Sequence, residues 1–230
     1  MFRLKLAIGL LSLCFTWTII GAAHAAQFSS IVIDATTGRT LHQYRASQQR
    51  YPASLAKMMT LYMMFEEIEQ GRMKPDTKIR VSHKAAKQPP SKLGLRYRSS
   101  IDARDAMHAL IVKSANDVAY AVAEHIAGSE AKFARRMTGK ARQLGLYDTH
   151  FTNASGLYHW RQQTTARDMA RLAALLLERF PHFVTVWRLR EFDYDGKTFL
   201  IWNWGCQLAT EAVVIGISPM PLDEFLAAWF

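Results

Sequence analysis

The chain has 230 residues, half of them hydrophobic, with 29 Lys and Arg against 19 Asp and Glu and a formal net charge of +10 at pH 7. That length and apolar content suffice for one sizeable domain or a compact pair with a real core. The basic residues are scattered over 74–190 rather than bunched with stacking aromatics, which argues against a nucleic-acid partner and leaves a solvated basic surface as the plain reading.

Arg3 and Lys5 precede an apolar stretch over 6–20, and Ala23-His24-Ala25 places small residues where a signal peptidase reads. Residues 1–25 are therefore expected to be a secretory signal cut after Ala25, with delivery across the inner membrane to the periplasm or cell envelope. The apolar core is short for a membrane span. Cys14 follows Leu13 rather than the small residue of a lipoprotein site. Without the signal, Cys206 is the one remaining cysteine and has no internal disulfide partner.

From residue 26 the elements follow in order. Ser29 to Asp34 is β-branched, Thr36-Thr37-Gly38 is a turn, and Arg39 to His42 resumes the strand, predicting a hairpin. Polar residues 44–51 lead to Pro52 and a helix that runs to a stop at Gly71. A short strand over 78–82 and an irregular stretch over 85–98, with Pro89, Pro90 and Gly94, precede a helix opened by Asp102. That helix has an apolar stripe of Ala106, Met107, Leu110 and Ile111, and Ser114 lies at its end. Further helices are predicted over 117–127, over 130–144 with Phe133, Met137, Ala141 and Leu144 inward, and from Thr164 with Met169, Leu172, Ala173, Leu176 and Leu177 buried. Two strands joined at Asp195-Gly196 close the pattern. Strands, several helices, then strands again indicate an α+β fold with first and last segments sharing a sheet.

Ser54 and Lys57 stand three residues apart, on one face of the predicted helix, so the amine can reach the hydroxyl without help from another segment. A serine hydroxyl is a poor nucleophile until a neighbour removes its proton, and lysine does so only when burial or another cation lowers its pKa. A lone Ser-x-x-Lys is more often a capping serine followed by a surface lysine. Lys113-Ser114-Ala115-Asn116-Asp117 supplies context, because Ser-x-x-Lys followed by Ser-x-Asn is the motif order of serine acyl-transferring enzymes. Seven histidines follow the signal (His42, His83, His108, His125, His150, His159 and His182) without H-E-x-x-H or paired helical spacing, and read as ordinary histidines rather than zinc ligands. Met58, Met59, Met63 and Met64 read as core.

Three stretches, Pro52-Ala-Ser-Leu-Ala-Lys-Met-Met-Thr60, Ser114-Ala-Asn-Asp117 and Phe151-Thr-Asn-Ala-Ser-Gly-Leu157, together resemble penicillin-binding proteins and serine β-lactamases. The branch they resemble most is the low-molecular-weight D-alanyl-D-alanine carboxypeptidases, over about residues 29–203. The resemblance implies a β-lactamase/transpeptidase-like α-β-α sandwich with a helical lobe. It implies Ser54 as acylated nucleophile, Lys57 as its base, Ser114 as proton relay and Asn116 as holder of a substrate amide. The Ser54 N–H would form half of an oxyanion hole, with a second N–H from a strand across the cleft. The implied substrate is the D-Ala-D-Ala end of a peptidoglycan stem peptide, with β-lactams as covalent inhibitors, no cofactor or metal, and a peripheral membrane or cell-wall contact.

The departure from that family is its third motif, Lys-Thr-Gly, on a strand facing the serine. The one Lys-Thr pair here is Lys197-Thr198, followed by Phe199, and its setting resembles the strand before that motif. The expectation is a catalytic domain over 26–205, incomplete for want of its C-terminal strands, with 206–230 an atypical tail. Three readings stand: a working carboxypeptidase; a truncated relative that binds wall peptide or β-lactam with little or no turnover; and a β-lactamase, whose deacylating glutamate has no place in this sequence.

Overall fold

The computed structural model describes residues 28–183, 186, 189, 191–200, 206–208 and 212–217. The expected signal, residues 218–230, and Ile201 and Trp202 at the expected end of the last strand lie outside the described residues.

The first hairpin forms where the sequence places it. β1 (Ser29–Asp34) and β2 (Thr40–Tyr44) pair antiparallel. Asp34 Oδ1 shapes the turn by accepting from the Thr36 N–H at 3.0 Å and from the N–H and Oγ1 of Thr37 at 2.7 and 2.8 Å. These bonds, that of the Thr37 N–H first, hold the Asp34 carboxyl below its ordinary pKa.

The C-terminal segment differs from expectation. β7 (Cys206–Leu208) and β8 (Ala212–Ile217) extend the sheet in the order β2-β1-β8-β7, all antiparallel. Residues 206–217 are thus not a strandless tail: β8 covers the β1 edge along its whole length, from Ser29 opposite Ile217 to Asp34 opposite Ala212. The register explains the pairing. Ile31 faces Ile215 and Ile33 faces Val213, and with Ile217 all five side chains are buried on one face. At about 1.5–3 kcal/mol for each large aliphatic taken from water, this face outweighs anything β2 offers, since β2 is exposed throughout.

The helix α6 (Ala166–Arg179) packs on that face. It is capped by Thr165, whose side chain accepts from the Asp168 N–H, and it buries Met169, Leu172, Ala173 and Leu176 as the periodicity predicts.

The serine helix is central to the rest. A single 3₁₀ turn (Ala53–Leu55) leads into α1 (Ala56–Glu69), which is buried on every side from Ala56 to Glu67. Such all-round burial suits its Met- and aromatic-rich sequence. Around it stand α6, α4 (Asn116–Ala127) and α5 (Glu130–Gln143), with the Phe180 ring set edge-on to Tyr62 at 5.0 Å and to Phe65 at 5.4 Å.

Smaller elements complete the frame: β3 (Lys78–Arg80), α2 (His83–Ala86), β4 (Ser100–Asp102) paired with β3, and α3 (Ala103–His108). The last of these runs into a π-helical turn, Ala109–Lys113. β5 (Glu191–Tyr194) and β6 (Lys197–Leu200) form the predicted hairpin about Asp195-Gly196, both residues at positive φ as a tight hairpin turn requires.

Candidate active site

Ser54 is an exposed residue in the 3₁₀ turn, and Lys57 lies in the first turn of α1. Lys57 Nζ donates to Ser54 Oγ at 3.3 Å and to the Ser155 carbonyl at 2.6 Å. Both features of the commonplace reading fail here. No side chain caps either helical segment, so Ser54 is not a capping residue, and Lys57 is only 3% exposed. Burial alone pulls the Lys57 pKa from its ordinary 10.5 to about 7. About half of the amine is therefore neutral and able to accept a proton at pH 7, beside a hydroxyl that can lose one.

The Ser155 carbonyl reaches the amine because the loop over 151–157 is stapled to the serine turn. Thr60 Oγ1 donates to the Ala154 carbonyl at 2.8 Å, and Glu130 Oε1 accepts from the Ala154 N–H at 3.2 Å. Burial raises the pKa of Glu130. The buried Gln162 spans the loop: its Oε1 accepts from the N–H and Oγ1 of Thr152 and from the Asn153 N–H, while its Nε2 donates to the Leu157 carbonyl. Asn153 closes it, accepting from the Gly156 N–H at 2.8 Å and donating to the Leu157 carbonyl at 2.8 Å. Gly156, at φ 89°, sits so close that a Cβ there would lie 1.7 Å from the Ala53 carbonyl oxygen. Ala53 itself is held at φ 46°, a costly conformation for a residue with a Cβ.

Ser114 ends the π-helical turn at φ 53° and ψ 42°, a second non-glycine residue in the left-handed region among the predicted site segments. Asn116 begins α4 and is buried, and its Nδ2 donates to the carbonyls of Pro89 and Pro90 at 3.0 and 3.1 Å. Its amide donors are thus committed to the 85–98 stretch, where the family resemblance would give them to a substrate. Asp117, given no role by the sequence reading, is the stronger anchor of that stretch. Fully buried, it accepts from the N–H groups of Leu93, Gly94, Leu95 and Val118 at 2.8–3.0 Å. Ser91 Oγ adds a bond to the Lys113 carbonyl at 2.8 Å. The irregular stretch therefore lies against the Ser114 segment.

Residues 18–215 match the peptidase S11 family, D-alanyl-D-alanine carboxypeptidase. The chain belongs to that family. It is 34% identical over 156 residues to D-alanyl-D-alanine carboxypeptidase DacF of Bacillus subtilis (strain 168), an alignment covering 68% of this chain and 40% of DacF. Among solved structures it resembles the D-alanyl-D-alanine carboxypeptidase DacD from Francisella tularensis, with 31% identity, a TM-score of 0.71, and coverage of 76% of this chain and 42% of that one. It also resembles penicillin binding protein 6B from Escherichia coli, with 27% identity, a TM-score of 0.76, and coverage of 85% and 72%. The chain spans less than half the length of the curated relatives it matches.

Against this S11 frame the Lys197-Thr198 pair is informative. It lies on β6, in a two-stranded sheet separate from β2-β1-β8-β7, and Thr198 Oγ1 donates to Asp193 at 2.6 Å. The hairpin leans on the element that delivers Ser114: the Phe192 ring lies 5.5 Å from that of His108, and Lys113 Nζ lies over the Phe199 ring at 5.7 Å. Among the described residues no group of three or more His, Cys, Asp or Glu is placed to hold a metal ion, and no helix is long and apolar enough to cross a membrane.

Proposed function

We propose that this chain carries the acylation machinery of a serine D-Ala-D-Ala carboxypeptidase acting on peptidoglycan stem peptides. The observation that supports this reading is the buried Lys57 amine, its pKa lowered to about 7, at 3.3 Å from Ser54 Oγ. Neutral Lys57 takes the Ser54 proton as Oγ attacks the carbonyl carbon of the penultimate D-alanine. The tetrahedral oxyanion collapses, the C–N bond breaks, and the proton held by Lys57 passes by way of Ser114 to the leaving D-alanine amine, which restores the neutral lysine. Water then attacks the Ser54 ester, Lys57 accepts its proton, and that proton goes to Ser54 Oγ as the ester C–O bond breaks, which returns the serine hydroxyl and the neutral lysine. The Ser54 N–H stabilises the oxyanion. β-Lactams, which bind related penicillin-binding proteins, would acylate the same hydroxyl. Export with removal of residues 1–25 belongs to the same proposal and is tested by mass spectrometry of the exported chain, expected to begin at Ala26.

A second reading, acylation with slow turnover, is favoured by the state of Lys197-Thr198. With the Thr198 hydroxyl bonded to Asp193 and β6 outside the main sheet, no Lys-Thr-Gly strand among the described residues supplies a cation and hydroxyl for the substrate carboxylate. One experiment separates the readings: labelling by a fluorescent penicillin alongside D-alanine release from a D-Ala-D-Ala peptide, each with Ser54→Ala as control. Label and release that both depend on Ser54 support the carboxypeptidase. Label without release supports the second reading, and absence of label sinks both.

A further inference from the structure

Two tyrosines flank the serine turn with much of their rings in water. Tyr51 is 44% and Tyr158 75% exposed, and their centroids lie 5.0 Å apart with the planes tilted by 60°. Tyr51 is three residues before Ser54, so its Cα lies within about 11 Å of the serine Cα, at ~3.8 Å per residue. Tyr158 is two residues after Gly156, which packs directly on Ala53. The contact that places the Ser155 carbonyl on Lys57 therefore also sets the two rings side by side. Next to them Trp160, 66% exposed, stacks on His159 at 6.0 Å and carries the Arg161 guanidinium over its face at 5.3 Å. The surroundings are cationic: after burial, Arg161, Arg142 and His159 lower the pKa of His150.

Exposed aromatic rings are costly unless they meet a partner, and tyrosine, with an apolar face and a polar tip, suits ligands that are half apolar and half hydroxylated.

We infer that Tyr51 and Tyr158 form a carbohydrate subsite beside the Ser54 turn, taking a pyranose ring of the wall glycan from which the stem peptide hangs. The inference rests on the carboxypeptidase reading for its ligand. The C–H face of a pyranose fits against tilted aromatic planes, its hydroxyls meet the tyrosine hydroxyls, which are hydrogen-bonded to each other, and the Arg161 side matches the carboxylates of wall sugars and stem peptides. A membrane surface fits less well, since the patch offers hydroxyl-tipped rings, histidine and arginine rather than aliphatic side chains.

The test uses the full chain with Ser54→Ala, so that nothing turns over, in co-sedimentation with peptide-free glycan strands and, separately, with vesicles of anionic phospholipid. Adding Tyr51→Ala and Tyr158→Ala together should weaken glycan binding about tenfold, which is about 1.4 kcal/mol. Vesicle binding should not change. With Ser54 intact, penicillin labelling of the tyrosine variants should stay within about twofold of the parent, because the drug carries no sugar. Unchanged glycan binding overturns the inference, as does a loss confined to vesicles. A parallel fall in labelling also overturns it, by assigning the rings to support of the serine turn. Tyrosine-dependent glycan binding in a parent that takes no penicillin would uphold the subsite while sinking the carboxypeptidase reading, so the two fail separately.

Discussion

The two ends of α1 are both buried and both bear charged residues, yet they are built in opposite ways. At the C-terminal end Glu66 meets Lys140 at 2.8 Å and Arg179 at 3.3 Å, while Glu67 meets Arg72 at 2.5 Å and Arg136 at 3.0 Å. The hydrogen bond from Arg72 is the largest cause holding the Glu67 carboxyl below its ordinary pKa. Arg136 also donates to the Ile126 carbonyl at 2.8 Å, so one cluster ties α1, α4, α5 and α6. At the N-terminal end the Lys57 amine has a hydroxyl and a carbonyl for partners, and burial alone sets its pKa. A matched charge stays charged and fixes helices, whereas a buried amine without a counterion becomes neutral and available for chemistry.

The sharpest break of this contrast is removal of the nucleophile. Ser54→Ala should abolish penicillin labelling while thermal unfolding is unchanged, because Ser54 is exposed and caps nothing; label persisting on the variant would move the nucleophile elsewhere. Lys57→Gln should slow acylation by about 10²- to 10⁴-fold, the usual weight of a positioned base. Next comes the staple between the loop and the turn. Gly156→Ala combines a positive φ with a Cβ placed 1.7 Å from the Ala53 carbonyl oxygen, and should cost roughly 3 kcal/mol or more. Its melting temperature should then fall by about 6–12 °C for a chain of this size. Labelling should fall further than the loss of folded protein explains, because the Ser155 carbonyl moves with the loop. A variant with parental melting and labelling would show that the loop has room the geometry denies it.

These contrasts also separate what is readable in the sequence from what is not. Ser54 and Lys57 are legible because their relation is local, one helical turn, and the hairpins at Thr36-Thr37-Gly38 and Asp195-Gly196 are legible because turn chemistry is local too. The roles of Gln162, Asp117 and Gly156 are not, since each has a partner 10–103 residues away that no periodicity encodes. The partners of Asn116 are equally distant in sequence: its Nδ2 donates to the carbonyls of Pro89 and Pro90. β8 goes unread for a different reason. Its Ala-Val-Val-Ile-Gly-Ile sequence is a short apolar run, and such a run is compatible with a buried strand or a helix fragment until the β1 register decides it.

The charged end of α1 gives a smaller and selective effect. Glu66→Gln leaves Lys140 and Arg179 without their carboxylate, but those two side chains are 23% and 47% exposed and can turn to water. The loss should therefore be about 1–2 kcal/mol rather than the larger cost of a stranded buried ion. Denaturant unfolding should report it, and the penicillin acylation rate of the folded variant should match the parent. A rate that fell with stability would mean that the two ends are coupled along the helix and that the contrast between them is too strict.

The pH response carries the most specific sign. If Lys57 must be neutral to take the Ser54 proton, acylation should rise with pH through about 7, by roughly tenfold between one unit below and one unit above, and then level off. The same amine makes a stability statement. Its pKa in the folded chain is depressed below the 10.5 of an unfolded lysine, so between about 7 and 10.5 the unfolded state binds the extra proton and this group's contribution makes the chain more stable as pH rises. Below about 7 both states are protonated and the burial penalty is complete. Lys57→Met removes the penalty, so its stability gain over the parent should be greatest below pH 7 and should shrink as pH climbs toward 10.5. A parent-to-variant difference that stays flat from pH 6 to 10 would show that the folded lysine keeps an ordinary pKa, and a base of that kind could not serve Ser54 at neutrality.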